Sequence, residues 1–393
     1  MTQILSPNAN ERWNVYGDWR RAASAVPVVL DGETNHIVTR YRDVAKLLNA
    51  TISTVQPRAG EFPAHIGSGP ASIFYRESLP HMDRPEHSRL RSVVMKALNP
   101  RTVAGMASWV ADIISRALDQ IDATGEVDVA RVLSAGIPAE VACRMLHISG
   151  ADTALLFSKV DDLSAIVSHE PLTPEKLQKA DEAARFYADF FARHIAALDL
   201  GGDDLVSSLV QASRAGAMSE SELHTTLMGL FIASYHTTRV SISNAIFAIG
   251  THGDQRDLLI ARPDLSEKAW DETLRFMSPV HFVHRYVSER LNLDGVTIEP
   301  GQRLLLGLAS ANRDPEEFDQ PDRFLVERGA NRHLAFALGA HFCLGAGLSR
   351  LEGRVLIHDL VTRFPQFEIA ADPVWTGDLS FPFIRELHVR ARP

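Results

Sequence analysis

Apolar residues recur at three- and four-residue intervals along four long stretches, about 101–147, 173–198, 220–250 and 265–276. That spacing lines one face of an α-helix and predicts amphipathic helices there. Alternating apolar and polar positions, the period of a half-buried strand, are confined to short runs at 28–38, 286–298, 302–308 and 367–390. Within the second of these, Asn292-Leu-Asp-Gly-Val-Thr-Ile298 carries an Asp-Gly turn and predicts a hairpin. The third helical stretch opens with Ser219 and Glu222, a capping box, and its pattern continues to Gly250. At about 1.5 Å per residue this helix is roughly 45 Å long, enough to cross a whole domain. The expected fold class is mainly α with a minor β portion. No Gly/Ser or Pro-rich linker, low-complexity tract or internal repeat divides the chain, so residues 1–393 are expected to form one domain.

Composition changes this picture little. With 45% hydrophobic and 23% charged residues, the chain can bury a substantial core. A formal charge of -9 and a pI near 6.0 argue against nucleic acid as the main partner. The first dozen residues lack a basic segment followed by an apolar one, and no window offers the roughly 20 apolar residues of a membrane span. A cytoplasmic protein with no membrane partner is expected. The only two cysteines are Cys143 and Cys343, so a disulfide framework is not expected. Cys143 lies in an amphipathic helical pattern, where a small buried thiol is the ordinary outcome.

Three constellations carry candidate chemistry. Midway along the long helix, Phe231-Ile-Ala-Ser-Tyr-His-Thr-Thr-Arg-Val240 interrupts a core-like pattern with polar groups, and Ala233 and Thr237, four apart, share a face. The plain expectation for Thr237 and Thr238 is a hydrogen bond back to the preceding turn, with His236 facing solvent. Glu272-Thr-Leu-Arg275 sets acid and base three residues apart on a helix, by itself a modest surface pair. Phe336-Ala-Leu-Gly-Ala-His-Phe-Cys-Leu-Gly345 is a glycine-bearing loop that leads through Cys343 into a helical pattern. A thiolate at a helix N-terminus is stabilised by the helix dipole, and Gly339 and Gly345 permit close approach of the backbone to a flat ligand.

In this order and spacing, the motifs resemble those of the bacterial cytochrome P450 enzymes, over essentially the whole chain from about Arg12. The loop is similar to the family's Phe-Gly-x-Gly-x-His-x-Cys-x-Gly signature, and Glu272 with Arg275 matches its Glu-x-x-Arg motif. Pro321-Asp-Arg-Phe324 offers Arg323 as the third member of the family's buried charge cluster. The resemblance implies a prism of helices around haem b, with Cys343 giving its thiolate to the iron. It implies Phe336 beside the sulfur, Ala233 and Gly345 against the haem, and His87, Arg91, Arg285 and His341 on the two propionates. Glu272, Arg275 and Arg323 would be structural. Dioxygen would be the co-substrate. No flavin or ferredoxin module fits in this length, so electrons would come ultimately from NAD(P)H through a separate ferredoxin and ferredoxin reductase. Arg89, Arg91 and Arg350 are candidate docking cations.

The chain departs from the family pattern in two places. Ala337 stands where the loop usually has glycine, with little effect expected. In the long helix the family reads Ala-Gly-x-Asp/Glu-Thr, whereas this chain reads Ala233-Ser-Tyr-His236-Thr237. The family's oxygen chemistry consumes two protons, which the acid and alcohol help deliver. Histidine also carries protons near neutral pH, so His236 with Thr237 implies a changed relay and not a lost one.

Alternatives stay open for the reaction. One is hydrogen abstraction and radical C–C or C–N coupling on an aromatic or tryptophan-containing cyclodipeptide substrate. Another is conventional hydroxylation or epoxidation of a secondary metabolite. A third, of another class, is a non-catalytic haem-binding sensor, against which Thr237 speaks. The expected pocket takes in the segment 63–74 with His65, then Ile232, Ala233, Thr237, Val280, Phe282, Val283 and Phe383, a mostly apolar lining for a small molecule. His65, Ser72 and His281 are candidate polar anchors.

Overall fold

The computed structural model describes residues 9–390 except 31–32, 58–61, 64–65, 125, 150–151, 169–171, 199–200 and 377–379. The first helices are α1 (Ala9–Ala22), α2 (Tyr41–Asn49), α3 (Pro70–Glu77), α4 (Glu86–Ala97), α5 (Pro100–Gly105), α6 (Ala107–Thr124), α7 (Gly136–Met145), α8 (Asp152–Ser158) and α9 (Val160–Ser164). They are followed by α10 (Pro174–Ala197), α11 (Leu205–Arg214), α12 (Glu220–Thr251), α13 (Gly253–Ala261), α14 (Ser266–Phe276), α15 (Leu308–Ala311) and α16 (Ala346–Arg363).

A five-stranded sheet is formed by β1 (Val26–Leu30), β2 (Glu33–Val38), β3 (Ser53–Thr54), β5 (Phe282–Val287) and β8 (Arg303–Gly307), in the order β1-β2-β8-β5-β3. Its β2–β8 pair is parallel, with Ile37 beside Leu305, because the two strands are joined by a crossover that contains most of the helices. A three-stranded sheet pairs β4 (Glu126–Asp128) and β9 (Glu368–Ile369) with β12 (His388–Arg390) between them. Two hairpin-like pairs complete the β portion, β6 (Leu291–Leu293) with β7 (Val296–Ile298), and β10 (Val374–Trp375) with β11 (Ile384–Glu386). In the β6–β7 turn Asp294 and Gly295 both have positive φ, 48° and 89°, as a two-residue turn between twisted strands requires.

The expected capping box is present. The Ser219 side chain accepts from the Glu222 N–H while the Glu222 carboxylate accepts from the Ser219 N–H, and α12 runs 32 residues from there. It packs against α7, α10, α11, α14 and α16. The predicted helical stretch 101–147 is in fact α5, α6, β4, a π-helical turn at Ala130–Ser134 and α7. The break comes from tertiary pairing. β4 is held by β12, some 260 residues away, which no local period reveals.

The α14–α16 contact is unusually close. A Cβ on Gly353 would lie 1.9 Å from Trp270 Cδ2, so only glycine lets the buried indole sit against α16. The N-terminus of α3 is capped from another helix, with the Asp181 carboxylate of α10 accepting from the Ala71 N–H at 2.9 Å. Its other end is tied to α12, where Glu77 accepts from Ser221 and Thr225 at 2.6 and 3.3 Å. One apolar cluster takes in buried residues from Ile66 to Val389, and a second joins α2 to the five-stranded sheet. Among the described residues, no helix is long and apolar enough to cross a membrane.

Candidate active site

Cys343 lies between a short 3-10 turn, Gly339–His341, and the start of α16. Its own N–H donates to the Phe336 carbonyl at 2.9 Å, which folds the loop back under the thiol. Burial raises its pKa, opposed by the Gly345 and Ala346 N–H groups and by the Arg91 and Arg350 guanidinium groups. The residue is nevertheless exposed. Both facts hold together if the sulfur sits at the bottom of a concavity, surrounded by protein yet not covered. The Phe336 ring packs in the same loop, with the Arg350 guanidinium 4.9 Å and the His333 ring 5.5 Å from it. Asp271 ties both of these down, at 2.9 Å to Arg350 and 3.5 Å to His333.

Ala337, in the same loop, has φ of 56°. The expectation of little effect is thereby corrected. The loop demands a left-handed residue there, and a Cβ in that conformation costs about 1 kcal/mol. Gly339 has φ of 70° and also lacks space, since a Cβ would stand 2.9 Å from the Leu48 carbonyl oxygen.

Midway along α12, Ala233 is exposed and Thr237 half-buried, while Phe231, Ile232, Tyr235 and Thr238 are buried. A helix surrounded by others therefore turns one small-residue stripe toward open space. Thr237 Oγ1 donates to the Ala233 carbonyl at 2.9 Å, the expected bond back to the preceding turn. His236 does not face solvent. Its side chain is 12% exposed, and its ring lies 5.1 Å from Phe381 and 6.5 Å from Phe383. Burial pushes its pKa down to about 4, with Asp161 raising it and Arg239 lowering it, so the ring is neutral at physiological pH.

Four basic side chains converge from three segments. His87 and His341 rings stand 4.2 Å apart, Arg91 donates to the Phe342 carbonyl at 2.5 Å, and buried Arg285 donates to the His284 carbonyl at 2.7 Å. Burial lowers the pKa of every member, and mutual repulsion lowers those of the two histidines further, His87 to about 4 and His341 to about 2. Such a cluster is matched chemically by a ligand bearing buried carboxylates.

A sequence profile described as Cytochrome P450 matches residues 264–376. The 6-deoxyerythronolide B hydroxylase of Saccharopolyspora erythraea is 30% identical over 392 residues, 96% of this chain and 95% of that protein. The chain belongs to the cytochrome P450 family. It is also similar to the mycinamicin IV hydroxylase/epoxidase of Micromonospora griseorubida, 34% identical over 85% of this chain and 83% of the relative. Among solved structures, P450BioI bound to a fatty-acyl-ligated acyl carrier protein superposes with a TM-score of 0.90 at 26% identity, covering 97% of each chain. CxnD, a P450 for C–S bond formation in chuangxinmycin biosynthesis, gives 0.88 at 30% identity over 98% of this chain and 95% of that one.

A P450 is a haem-thiolate oxidoreductase, and the donor set here fits that cofactor. One cysteine stands at a helix N-terminus, and two arginines and two histidines converge as donors that would suit two propionates. The charge cluster of this P450 needs one correction. Arg275 makes a two-pronged pair with Glu272, 2.8 and 2.9 Å, both side chains fully buried. The third side chain is not Arg323 but Arg328, whose Nε lies 3.0 Å from Glu272. Arg323 is exposed and bonds Gln320, and it supplies only its carbonyl, which accepts from Arg275 and Arg328.

Other expectations fare unevenly. Phe282 does not line a pocket with Val283. Neighbours in a strand point to opposite faces, and Phe282 packs edge-on against Tyr16, 5.6 Å between centroids, in a cluster with Ile37, Leu305 and Ala309. His281 is likewise committed, its Nδ1 bonded to the Tyr16 hydroxyl at 2.8 Å. Ile232 is buried in the main cluster, and Val280 is half-buried. Phe383 is half-buried, with the Arg239 guanidinium 4.2 Å above its ring. Ser72 is fully buried, and its hydroxyl has no partner among the described residues. His65 lies outside the described residues. Arg89 is bonded to the Ala217 carbonyl and to Glu222, Arg91 to the Phe342 carbonyl and Arg350 to Asp271, so all three docking candidates already have partners within the chain. Asp161, Phe381 and Arg328 had no sequence signal, because each reaches its place from a different element, whereas Arg239 follows His236 by three residues on α12.

Proposed function

We propose that the protein is a haem-thiolate monooxygenase that hydroxylates or epoxidises a small, largely apolar secondary metabolite. The reading is carried by the open Cys343 thiol beneath the N-terminus of α16, with the Gly345 and Ala346 N–H groups directed at the sulfur. It is supported by relatives named as macrolide-type hydroxylases and epoxidases. Haem bound to Cys343 supplies dioxygen activation with electrons from a separate donor, taken to be a ferredoxin with its NAD(P)H-dependent reductase. Cys343 would hold the iron, while His87, Arg91, Arg285 and His341 hold the propionates. The stripe of Ala233 and Thr237 would bound the space above, with Phe381, Phe383 and Val280 excluding water from the substrate's apolar body. Thr237 would position water at its hydroxyl, and neutral His236 would take and release protons at its ring nitrogens.

A second reading, radical coupling on an aromatic or cyclodipeptide substrate, is favoured by the neutral His236 in place of an acid and by the likeness to a C–S bond-forming P450. A carbon monoxide difference spectrum of the reduced protein tests the ligand. The strongly red-shifted Soret band of thiolate ligation is expected, and its absence from folded, haem-loaded protein would refute the assignment. Product mass then divides the two reactions, because oxygen insertion adds one oxygen atom and coupling removes two hydrogens.

A further inference from the structure

The family's acid is missing from α12 at His236, but a carboxylate stands beside that ring from another helix. Asp161 of α9 places Oδ1 3.9 Å from His236 Nε2 and, on its other side, 3.9 Å from Arg239 Nη1. The Asp161 side chain is 69% exposed, whereas that of His236 is 12% exposed. The pair thus spans the boundary between bulk solvent and the interior of α12. The other ring nitrogen, Nδ1, is buried and has no hydrogen-bond partner among the described residues. A buried ring nitrogen without a partner is costly, and in a proton path it is the end at which the ring can exchange a proton with the interior.

The groups around the ring restrict what it can do. Phe381 and Phe383 close one side and carry no proton. Arg239 is held over the Phe383 ring at 4.2 Å and also lies 5.9 Å from the Tyr235 ring. Tyr187 of α10 donates its hydroxyl to the Leu156 carbonyl at 2.6 Å, and Asp162 pairs with Lys159 at 3.9 Å. Asp161 and Arg239 are the charges that act on the His236 ring, and of these only Asp161 favours its protonated form.

We propose that Asp161 supplies protons to the site through His236, taking the place of the acid that α12 lacks. This rests on the oxygen-activating function proposed above. Asp161 takes a proton from solvent on its exposed side and gives it to His236 Nε2, while the ring releases its Nδ1 proton inward. The carboxylate is restored and one proton has crossed, leaving the ring proton on Nε2; a half-turn of the ring about its Cβ–Cγ bond then turns that N–H inward and the bare nitrogen toward Asp161, ready for the next proton. A single water or a side-chain rotation closes the 3.9 Å gap. Arg239 keeps the carboxylate in place. Asp161 acts through His236 and is a positioning residue in this scheme.

The test has a spectroscopic and a kinetic part. In histidine-labelled, haem-loaded protein in its diamagnetic ferrous carbonyl form, nitrogen shifts report the His236 tautomer ratio, with the signal identified by its loss in His236→Asn. Asp161→Asn, which is isosteric and largely exposed, should shift that ratio by about threefold or more toward Nδ1–H. An unchanged ratio overturns the proton path.

With a surrogate ferredoxin and reductase, Asp161→Asn should slow oxygen consumption about tenfold and enlarge the solvent deuterium effect, and formate should restore part of the rate in Asp161→Gly. In a His236→Asn background the Asp161 change should add nothing, because the two share one route. A full additional loss there, or no loss in the single variant, overturns the proposal. A wild-type protein that shows thiolate-ligated haem but consumes no oxygen overturns the oxygenase function and the path with it. An unchanged tautomer ratio in an active enzyme overturns the path alone.

Discussion

Two single residues carry measurable consequences. Ala337 is a left-handed alanine in the cysteine loop, and Ala337→Gly should raise stability by up to about 1 kcal/mol, read as a higher denaturation midpoint with an unchanged slope. Glu352 on α16 is fully enclosed, with an Oε2 that has no partner among the described residues, and burial pushes its pKa up to about 8. The unfolded chain titrates this group near 4.5, so the folded state binds its proton more tightly. Its contribution is therefore complete below pH 4.5 and is lost as pH rises toward 8, by about 1.4 kcal/mol per unit. Glu352→Gln should remove that slope. The advantage of the variant over the native protein should be small in denaturation at pH 5 and should grow to a few kcal/mol at pH 8. Neither effect was legible in the chain. The Ala337 substitution was visible but its backbone angle was not, and Glu352 reads as an ordinary helical glutamate until its surroundings are known.

Among elements, local signals were readable and distant ones were not. The box at Ser219 and Glu222 marks the start of α12, and the Asp294-Gly295 turn marks β6–β7, because both are decided within four residues. The break between α6 and α7 escaped notice since β4 owes its existence to β12. The same distinction separates Arg323 from Arg328. Spacing after Glu-x-x-Arg pointed to the motif Pro321–Phe324, yet which arginine turns inward depends on the loop between α15 and the cysteine turn. Arg328→Ala should cost about 3–5 kcal/mol by leaving buried Glu272 underpaired, whereas Arg323→Ala should stay within about 0.5 kcal/mol. Equal losses in thermal denaturation would return the role to Arg323.

At the scale of the molecule, the family was the most legible part, since the loop around Cys343 and the Glu272–Arg275 pair each stand in a recognisable motif. The neighbourhood of Asp161 and His236 was the least legible, because α9 contributes one exposed aspartate with nothing around it in the sequence to mark its partner. Arg285→Ala should weaken haem retention about tenfold or more, measured as faster transfer to an apo-globin scavenger, with Cys343 and the thiolate spectrum left intact.

The basic cluster also has a chronological meaning. Its members come from α4, β5 and the turn before Cys343, segments that lie up to about 250 residues apart and repel one another on approach. A dianionic ligand between them would offset that repulsion and favour the closed arrangement. The cofactor is then an ordering event in biosynthesis as much as a catalyst. Loading of haem is therefore expected to tighten this seam, which slower proteolysis between α4 and the Cys343 loop after addition of the cofactor would show.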